Sequence, residues 1–224
     1  MGQFTPRMVL FDLDGTLVDS VPDLLVATNA MQRELGNPER AEEDVRNWVG
    51  NGVERLVERA LTNDLDGTPE PAALDEALPV FKRHYAENNG KYSQVFDGVT
   101  QGLEFIRSLG LSMGCVTNKG EAFTLPLLEH TGLRDHFEVV ISGDTLPLKK
   151  PDPAPLIYSA GWFHLHPSEA LMIGDSISDV KAARAAGFSI ICMSYGYNHG
   201  RDIRDFDPDA VIDSMTELSG LVGR

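Results

Sequence analysis

The chain has 224 residues, 42% hydrophobic and 24% charged, which is enough apolar material for one large globular domain or two modest ones. Acidic residues outnumber basic ones by 34 to 19, giving a formal net charge of −15. That charge disfavours nonspecific attraction to nucleic acid or to an anionic membrane surface, so neither is an expected partner.

The two cysteines and the N-terminal residues indicate the cellular compartment of the protein. Cys115 and Cys192 each lie within an apolar run, which is typical of packed, reduced thiols. No basic region is followed by an apolar segment at the start, and no window approaches the roughly 18 apolar residues of a spanning helix. We therefore expect a cytoplasmic protein.

The first strong signal is the uniformly apolar run from Met8 to Phe11, which predicts a strand covered on both faces within a parallel sheet. Gly15 allows a turn where this strand stops, so Asp12 and Asp14 are predicted at its carboxyl end. Ligands bind at that edge of open α/β sheets. Two neighbouring carboxylates bury poorly unless a cation compensates them, which favours a divalent metal.

Residues 21–92 differ from the rest of the chain, because they show helical periodicity and almost no strand signal. Four helices are predicted there, with a break at Gly50-Asn51-Gly52 and a disturbance at Pro79 in the last helix, 72–85. We expect this segment to be a helical cap domain inserted into a discontinuous catalytic core of residues 1–20 and 93–224.

From about residue 95, helical stretches alternate with short apolar runs, which indicates βαβ units. Strands are predicted over 111–116, 138–141, 170–173 and 189–193, with a last short one at 210–212. The predicted fold class is α/β, a parallel sheet flanked by helices with an inserted α-helical cap domain. One strand before the insert and about four after it form the sheet.

Polar side chains follow several of these strands. Because the carboxyl ends of parallel strands meet at one edge of the sheet, these side chains should lie beside Asp12 and Asp14. Each signal alone has an ordinary explanation, such as turn chemistry, an exposed lysine or a helix N-cap. Their order along the chain is what points to a site. The segments are Thr117-Asn118-Lys119, Lys149-Lys150-Pro151-Asp152-Pro153, and Gly174-Asp175 with Asp179.

Together with Asp12-Leu13-Asp14-Gly15-Thr16, this series resembles the four motifs of the haloacid dehalogenase-like hydrolase superfamily, in the family's order. The resemblance implies a Rossmann-like hydrolase core in which Asp12 is the nucleophile and Asp14 the general acid and base. It also implies a phosphatase, because the dehalogenases of the family lack an aspartate at the place of Asp14.

The same resemblance implies that Mg²⁺ is held by Asp12, the Asp14 backbone carbonyl and Asp175. The chemistry agrees, since a carboxylate that approaches a phosphate dianion needs a cation between them, and Mg²⁺ prefers oxygen ligands.

Four further side chains are expected to assist. Lys150 supplies positive charge, with Lys149 as its rival, and Thr117 donates to phosphate oxygens. Asn118 and Asp179 are expected to support the site.

Two features of the insert remain open at the level of sequence. Gly50-Asn51-Gly52 is either a simple helix break or a loop that reaches over the active site and selects substrate, as the cap loop does in this family. Arg55 or Arg59 could meet a substrate carboxylate, although surface salt bridges are the simpler expectation.

Within the capped members, the chain looks similar to bacterial phosphoglycolate phosphatases over Phe11 to Ser20, Trp48 to Gly52 followed by Glu58 to Leu61, and Tyr195 to Asn198. This implies hydrolysis of 2-phosphoglycolate, a small phosphorylated metabolite, through an aspartyl phosphate. The alternatives are a sugar phosphatase or a β-phosphoglucomutase-like phosphotransferase of the same fold, and a catalytically silent interaction protein. No oligomeric state is predicted.

Overall fold

The structure, a computed structural model, describes residues 3–223. Within that range six parallel strands form the main sheet, in the spatial order β5-β4-β1-β6-β7-β8, and two very short strands, β2 and β3, form a separate antiparallel pair. The strands are β1 (Met8–Phe11), β2 (Val18–Asp19), β3 (Gln94–Val95), β4 (Ser112–Val116), β5 (Val139–Ile141), β6 (Ala170–Gly174), β7 (Ser189–Met193) and β8 (Ala210–Ile212).

The same range contains nine α-helices, four of which lie between β2 and β3. In chain order they are α1 (Val21–Glu34), α2 (Glu42–Trp48), α3 (Val53–Thr62), α4 (Pro71–Asn88), α5 (Val99–Ser108), α6 (Glu121–His130), α7 (Ala154–Trp162), α8 (Ile177–Ala186) and α9 (Leu218–Leu221).

The predicted fold class is confirmed. The sheet contains five strands after the insert instead of about four, because β8 pairs with β7 as the edge strand. The β2–β3 pair was not predicted, since two-residue strands have no periodicity that a sequence can reveal. Cys115 and Cys192 are buried and unpaired, as expected. None of the helices within 3–223 has the length and apolar character needed to cross a lipid bilayer.

β1 occupies the centre of the sheet, between β4 and β6, and all four of its side chains are completely buried. Val9 and Phe11 pack into the apolar core on one face of the sheet, and Met8 and Leu10 pack into the core on the other. The two-sided burial explains the absence of polar alternation in this strand. It also fixes where the strand ends, so that Asp12 emerges at the middle of the carboxyl edge.

The helices α1 to α4 share an apolar core of their own, in which Phe81 and Tyr85 are fully buried. Phe123 and Tyr197 from outside the segment also pack into it. The pairing of Val18 with Val95 brings the two ends of the segment together. On this observation we propose that residues 21–92 form the cap domain, and residues 1–20 and 93–224 the core.

The helix α4 runs without a break through Pro79, so the disturbance expected there is limited to the hydrogen bond that proline cannot donate. Pro79 is exposed, so water can solvate the carbonyl group that loses its helical partner at this residue.

Pro79→Ala should raise the free energy of unfolding by about 2 kcal/mol, because it restores a helical hydrogen bond and removes a ring clash. The greater entropy of the unfolded alanine variant offsets part of this gain. Pro71→Ala is the matched control, because Pro71 occupies the first turn of the same helix, where proline is favoured. We expect no gain from that variant. Urea unfolding measures both, and equal midpoints for the two variants would contradict the expectation.

Candidate active site

Lys150 lies at the centre of the carboxyl edge of the sheet, and its side chain is only 1% exposed. Its Nζ is 2.9 Å from Asp12 Oδ1 and 2.7 Å from Asp179 Oδ1, and it donates to the Val116 carbonyl oxygen at 2.7 Å. Burial alone would lower the pKa of Lys150, but the two carboxylates outweigh it and hold that pKa above its usual value. The site therefore contains a permanent buried cation.

Asp12 follows β1 directly, and its backbone N–H continues the sheet by donating to the Ile173 carbonyl oxygen at 2.9 Å. Its Oδ1 accepts from the Leu13 N–H at 2.7 Å and lies against Lys150. Burial raises the pKa of Asp12 to about 7, although Lys150 acts in the opposite direction. Because both contacts go to Oδ1, Oδ2 is left available for another partner.

Asp175 follows β6 and is clamped through both oxygens. The Thr16 hydroxyl donates to Oδ1 at 2.6 Å, and the Tyr197 N–H donates to Oδ2 at 2.6 Å. Burial, with the nearby Asp179 and Asp12 carboxylates as further causes, raises the pKa of Asp175 well above its usual value. A Cβ at Gly196 would lie 2.1 Å from the Cβ of Asp175, so only glycine allows the loop after β7 to pass this closely.

Asp179, in the first turn of α8, has both oxygens occupied. Oδ1 lies against Lys150, and Oδ2 accepts from the N–H and hydroxyl of Ser176 at 3.0 and 2.7 Å and from the Asp175 N–H at 3.2 Å. The carboxylate therefore orders the β6–α8 loop and holds Lys150 in place.

The residues present fit a divalent cation. Asp12, Asp175 and Asp179 each offer a carboxylate oxygen within 4.8 Å of the other two, and Lys150 alone does not balance three carboxylates. Hard oxygen donors of this kind are the ligands that Mg²⁺ prefers. Asp12 and Asp175 would hold the ion, since Oδ2 of Asp12 is available and Asp175 accepts only one neutral donor at each oxygen. Asp179 is less suited, because its Oδ1 pairs with the Lys150 ammonium group and its Oδ2 accepts three hydrogen bonds. Asp12 and Asp175 are both among the predicted metal ligands. The predicted coordination by the Asp14 backbone carbonyl stays a prediction.

The side chain of Asp14 lies outside this cluster and pairs with Lys119. The two Asp14 oxygens accept from Lys119 Nζ at 2.8 and 2.9 Å, and the lysine side chain is 2% exposed. The same Nζ lies 5.1 Å from the ring centroid of Tyr85 on α4, which places a cap residue beside the pair. Lys119 was not among the predicted site residues, and its only signal was its place after Thr117-Asn118 at a strand end.

Thr117 and Asn118 come from the end of β4, as predicted. The Thr117 hydroxyl accepts from the Lys119 N–H at 3.2 Å, which fixes it at the rim of the site. Asn118 Nδ2 donates to the carbonyl oxygens of Gly50 at 3.0 Å and Lys150 at 2.8 Å, so one amide connects the cap to the loop that carries the lysine.

The segment Gly50-Asn51-Gly52 separates α2 from α3, and its two glycines lie close to Asp12 and Asp14, lining the same cavity. Lys149 Nζ donates to the Asn51 carbonyl oxygen at 2.9 Å, so this lysine contacts the cap while Lys150 contacts Asp12. Gly50 and Gly52 have φ of +121° and +89°, values that L side chains rarely adopt. The selection of substrate by this loop stays a prediction.

The expected surface salt bridge is wrong for Arg59, which is buried. Its guanidinium group donates to the Trp48 carbonyl, to Asn51 Oδ1 at 2.9 Å and to the Leu65 carbonyl at 2.9 Å. The sequence could not predict this because a buried arginine can donate its hydrogen bonds to backbone carbonyls, which no sequence motif identifies. Arg55 does pair with Glu58, at 2.6 Å.

A small cavity lies between the cap and the catalytic edge, and both sides contribute to its wall. The core side is polar and the cap side is mainly apolar. Its lining consists of Asp12, Asp14, Thr117, Asn118 and Lys119 from the core and Leu24, Val49, Gly50, Gly52, Val53 and Leu56 from the cap.

Tyr197, in the loop after β7, connects Asp175 to the start of the cap segment. Besides donating its N–H to Asp175, its hydroxyl donates to Asp19 and accepts from the Ser20 N–H at 3.1 Å. Arg46 of the cap contacts the same Asp19 at 3.2 Å. The carboxylate cluster is thereby connected to the start of the cap.

Comparison with known proteins gives one consistent result. Residues 9–193 match the family model described as haloacid dehalogenase-like hydrolase. A phosphoglycolate phosphatase of Nitrosococcus oceani is 57% identical over 98% of this chain and 97% of its own length. One from Thiobacillus denitrificans is 47% identical, over 96% and 95%. The crystal structure of a predicted phosphoglycolate phosphatase from Haemophilus somnus superposes with a TM-score of 0.90 at 33% identity, over 98% of both chains.

Mg²⁺ should raise the melting temperature, and more so at about pH 8 than at about pH 5.5. The pKa of Asp12 is higher in the folded state than its ordinary 3.8, and that of Asp175 is raised too. The metal-free fold therefore binds more protons than the unfolded chain and loses stability as pH rises toward 7. A bound cation removes this loss, and an ion about 100-fold above its Kd adds about 2.7 kcal/mol.

Differential scanning fluorimetry with Mg²⁺ or EDTA measures this shift. Asp175→Asn should lose most of it, whereas Asp75→Asn, an exposed position on α4, should keep all of it. A full shift in Asp175→Asn would contradict the assignment of this carboxylate to the metal.

Proposed function

Because the chain belongs to the haloacid dehalogenase-like hydrolase family and is a phosphoric monoester hydrolase, we propose that its reaction is the Mg²⁺-dependent hydrolysis of 2-phosphoglycolate to glycolate and phosphate. The observation that carries this proposal is the pairing of Asp12 with buried Lys150, at a cavity that Asp14 also lines.

Asp12 is the proposed nucleophile, which attacks phosphorus and expels the glycolate oxygen. Lys150 and the Leu13 N–H hold Oδ1, and this leaves Oδ2 to form the aspartyl phosphate. A carboxylate is a weak base yet an adequate nucleophile once it is desolvated, and the covalent intermediate divides one difficult step into two easier ones. Lys150 also neutralises the charge that gathers on the phosphoryl oxygens.

Asp14 is the proposed proton carrier. It donates a proton to the leaving oxygen in the first step and accepts one from the attacking water in the second. Asp14 lines the same cavity as Asp12 and is not one of the three carboxylates that could hold the metal, which suits this part. Thr117, which lines the cavity, and its neighbouring backbone amides are the proposed donors to the phosphate. When bound, Mg²⁺ supplies Lewis-acid charge neutralisation between the phosphate and the carboxylates.

The choice of 2-phosphoglycolate over a sugar phosphate is supported by the lining of the cavity. The cap contributes Leu24, Val49, Val53 and Leu56, which offer no hydrogen bonds to the hydroxyl groups of a sugar. Buried hydroxyls without partners are unfavourable, whereas a two-carbon acid presents only a methylene group to these walls. Relatives at 47% to 57% identity that are called phosphoglycolate phosphatases support the same choice.

A panel of small phosphomonoesters with Mg²⁺ tests the substrate. We expect 2-phosphoglycolate to give the highest kcat/KM, with phosphate released steadily and without a bisphosphate activator. A sugar phosphate at the top of the panel would contradict the substrate, and a requirement for a bisphosphate would favour the phosphotransferase.

The proposed division of labour predicts different behaviour of Asp12→Asn and Asp14→Asn with p-nitrophenyl phosphate, whose leaving group needs no acid. Asp14→Asn should slow hydrolysis of the intermediate by about 10² to 10⁴-fold, so that about one phosphoryl group per chain accumulates. Mass spectrometry after an acid quench detects it. Asp12→Asn should show no added phosphoryl mass. A phosphorylated form of that variant would contradict the assignment of Asp12 as the nucleophile.

A further inference from the structure

Lys119 is the cation that lines the cavity. Among the cavity-lining residues within 3–223, no arginine and no other lysine appears. The other basic side chains near the cap have partners elsewhere: Arg59 binds Trp48, Asn51 and Leu65, Arg46 binds Asp19 and Glu42, and Lys149 binds Asn51. An anionic group of the substrate that projects away from the phosphoryl end would therefore meet Lys119.

The ammonium group of Lys119 also has hydrogen-bonding capacity to spare. Of its three N–H donors, two are accounted for by Asp14 Oδ1 and Oδ2. Its remaining close neighbour is Tyr85, whose ring centroid lies 5.1 Å from Nζ and whose hydroxyl, within residues 3–223, makes no well-aligned hydrogen bond. A buried ammonium group with an unused donor at a cavity wall is suited to bind an incoming carboxylate.

The geometry of the reaction brings a carboxylate to this point. If Asp14 protonates the leaving oxygen, that oxygen comes within about 3 Å of the Asp14 carboxyl group. In 2-phosphoglycolate a single methylene separates the leaving oxygen from the carboxylate carbon, so the carboxylate oxygens lie within about 4 Å of the leaving oxygen. Lys119, which hydrogen-bonds both Asp14 oxygens and also lines the cavity, is therefore within reach of the carboxylate.

We propose that Lys119 binds the carboxylate of the substrate and so determines the preference for a phosphorylated carboxylic acid over a neutral phosphate ester. This inference rests on the proposed function. Lys150 and the carboxylate cluster serve the phosphoryl end, and Lys119 serves the leaving-group end. Because Tyr85 of α4 lies against the Lys119 ammonium group, cap closure completes the carboxylate site.

The test compares 2-phosphoglycolate with 2-hydroxyethyl phosphate, in which an alcohol replaces the carboxylate. We expect Lys119→Met to reduce the ratio of their kcat/KM values by about 10- to 100-fold, the size expected for the loss of a charged hydrogen bond. Lys181→Met, an exposed lysine on α8, is the matched control and should keep the wild-type ratio.

A binding measurement covers the case in which Lys119→Met leaves Asp14 unpaired and fails to fold. In the Asp14→Asn background the substitution of Lys119 leaves no carboxylate without its partner. Titration calorimetry with Mg²⁺ then compares 3-phosphonopropionate, a non-hydrolysable mimic, with propylphosphonate, which lacks the carboxylate. Lys119→Met should reduce the preference for the first by about 10- to 100-fold.

The outcomes separate the two hypotheses. A ratio that Lys119→Met leaves unchanged, whether both substrates weaken equally or neither does, overturns the assignment of Lys119 while the proposed substrate stands. A wild-type protein that shows no preference for the carboxylated substrate overturns the proposed function itself, and this inference with it.

Discussion

Burial of the Lys150 ammonium group among carboxylates is the interaction on which the site depends. Its Nζ is held by Asp12 after β1, the Val116 carbonyl at the end of β4, and Asp179 in the first turn of α8. A buried charge without partners is strongly unfavourable, so these groups must converge whenever the fold forms. The buried carboxylates also need positive charge. They outnumber the lysine, and a divalent cation can balance the negative charge that remains. The same charge pairing therefore stabilises the fold here and positions the side chains of the site.

In our proposal, two lysines in different settings bind the two ends of the substrate. Lys150 is surrounded by carboxylates deep in the core, whereas Lys119 pairs with Asp14 beneath the ring of Tyr85. A phosphoryl group and a carboxylate differ in charge and in distance from the reacting phosphorus, so one cation could not serve both. The cap contributes apolar walls and Tyr85 to this arrangement, and charged ligands come from the core.

Much of the fold was predictable from sequence because buried strands and amphipathic helices have strong periodic signals. The strands Met8–Phe11, Ser189–Met193 and Ala210–Ile212 have the predicted bounds. The clustering of Asp12 and Asp175 with Lys150 was also predictable, since parallel strands end at one edge. The Lys119–Asp14 pair and the buried Arg59 were not, because both depend on how distant segments pack, and neither short strand of the β2–β3 pair is long enough to show a pattern.

The β2–β3 pair has a consequence for how this molecule could have changed over time. Val18 pairs with Val95 and Asp19 with Gln94, so the chain leaves and re-enters the core at adjacent points. The entropy of closing a loop grows only slowly with its length when the ends are already held together. An insertion at this place can therefore be lengthened, shortened or replaced at small expense to the sheet. The apolar walls that face the cavity can therefore change within one segment, while the charged side chains of the core, Lys119 included, are kept.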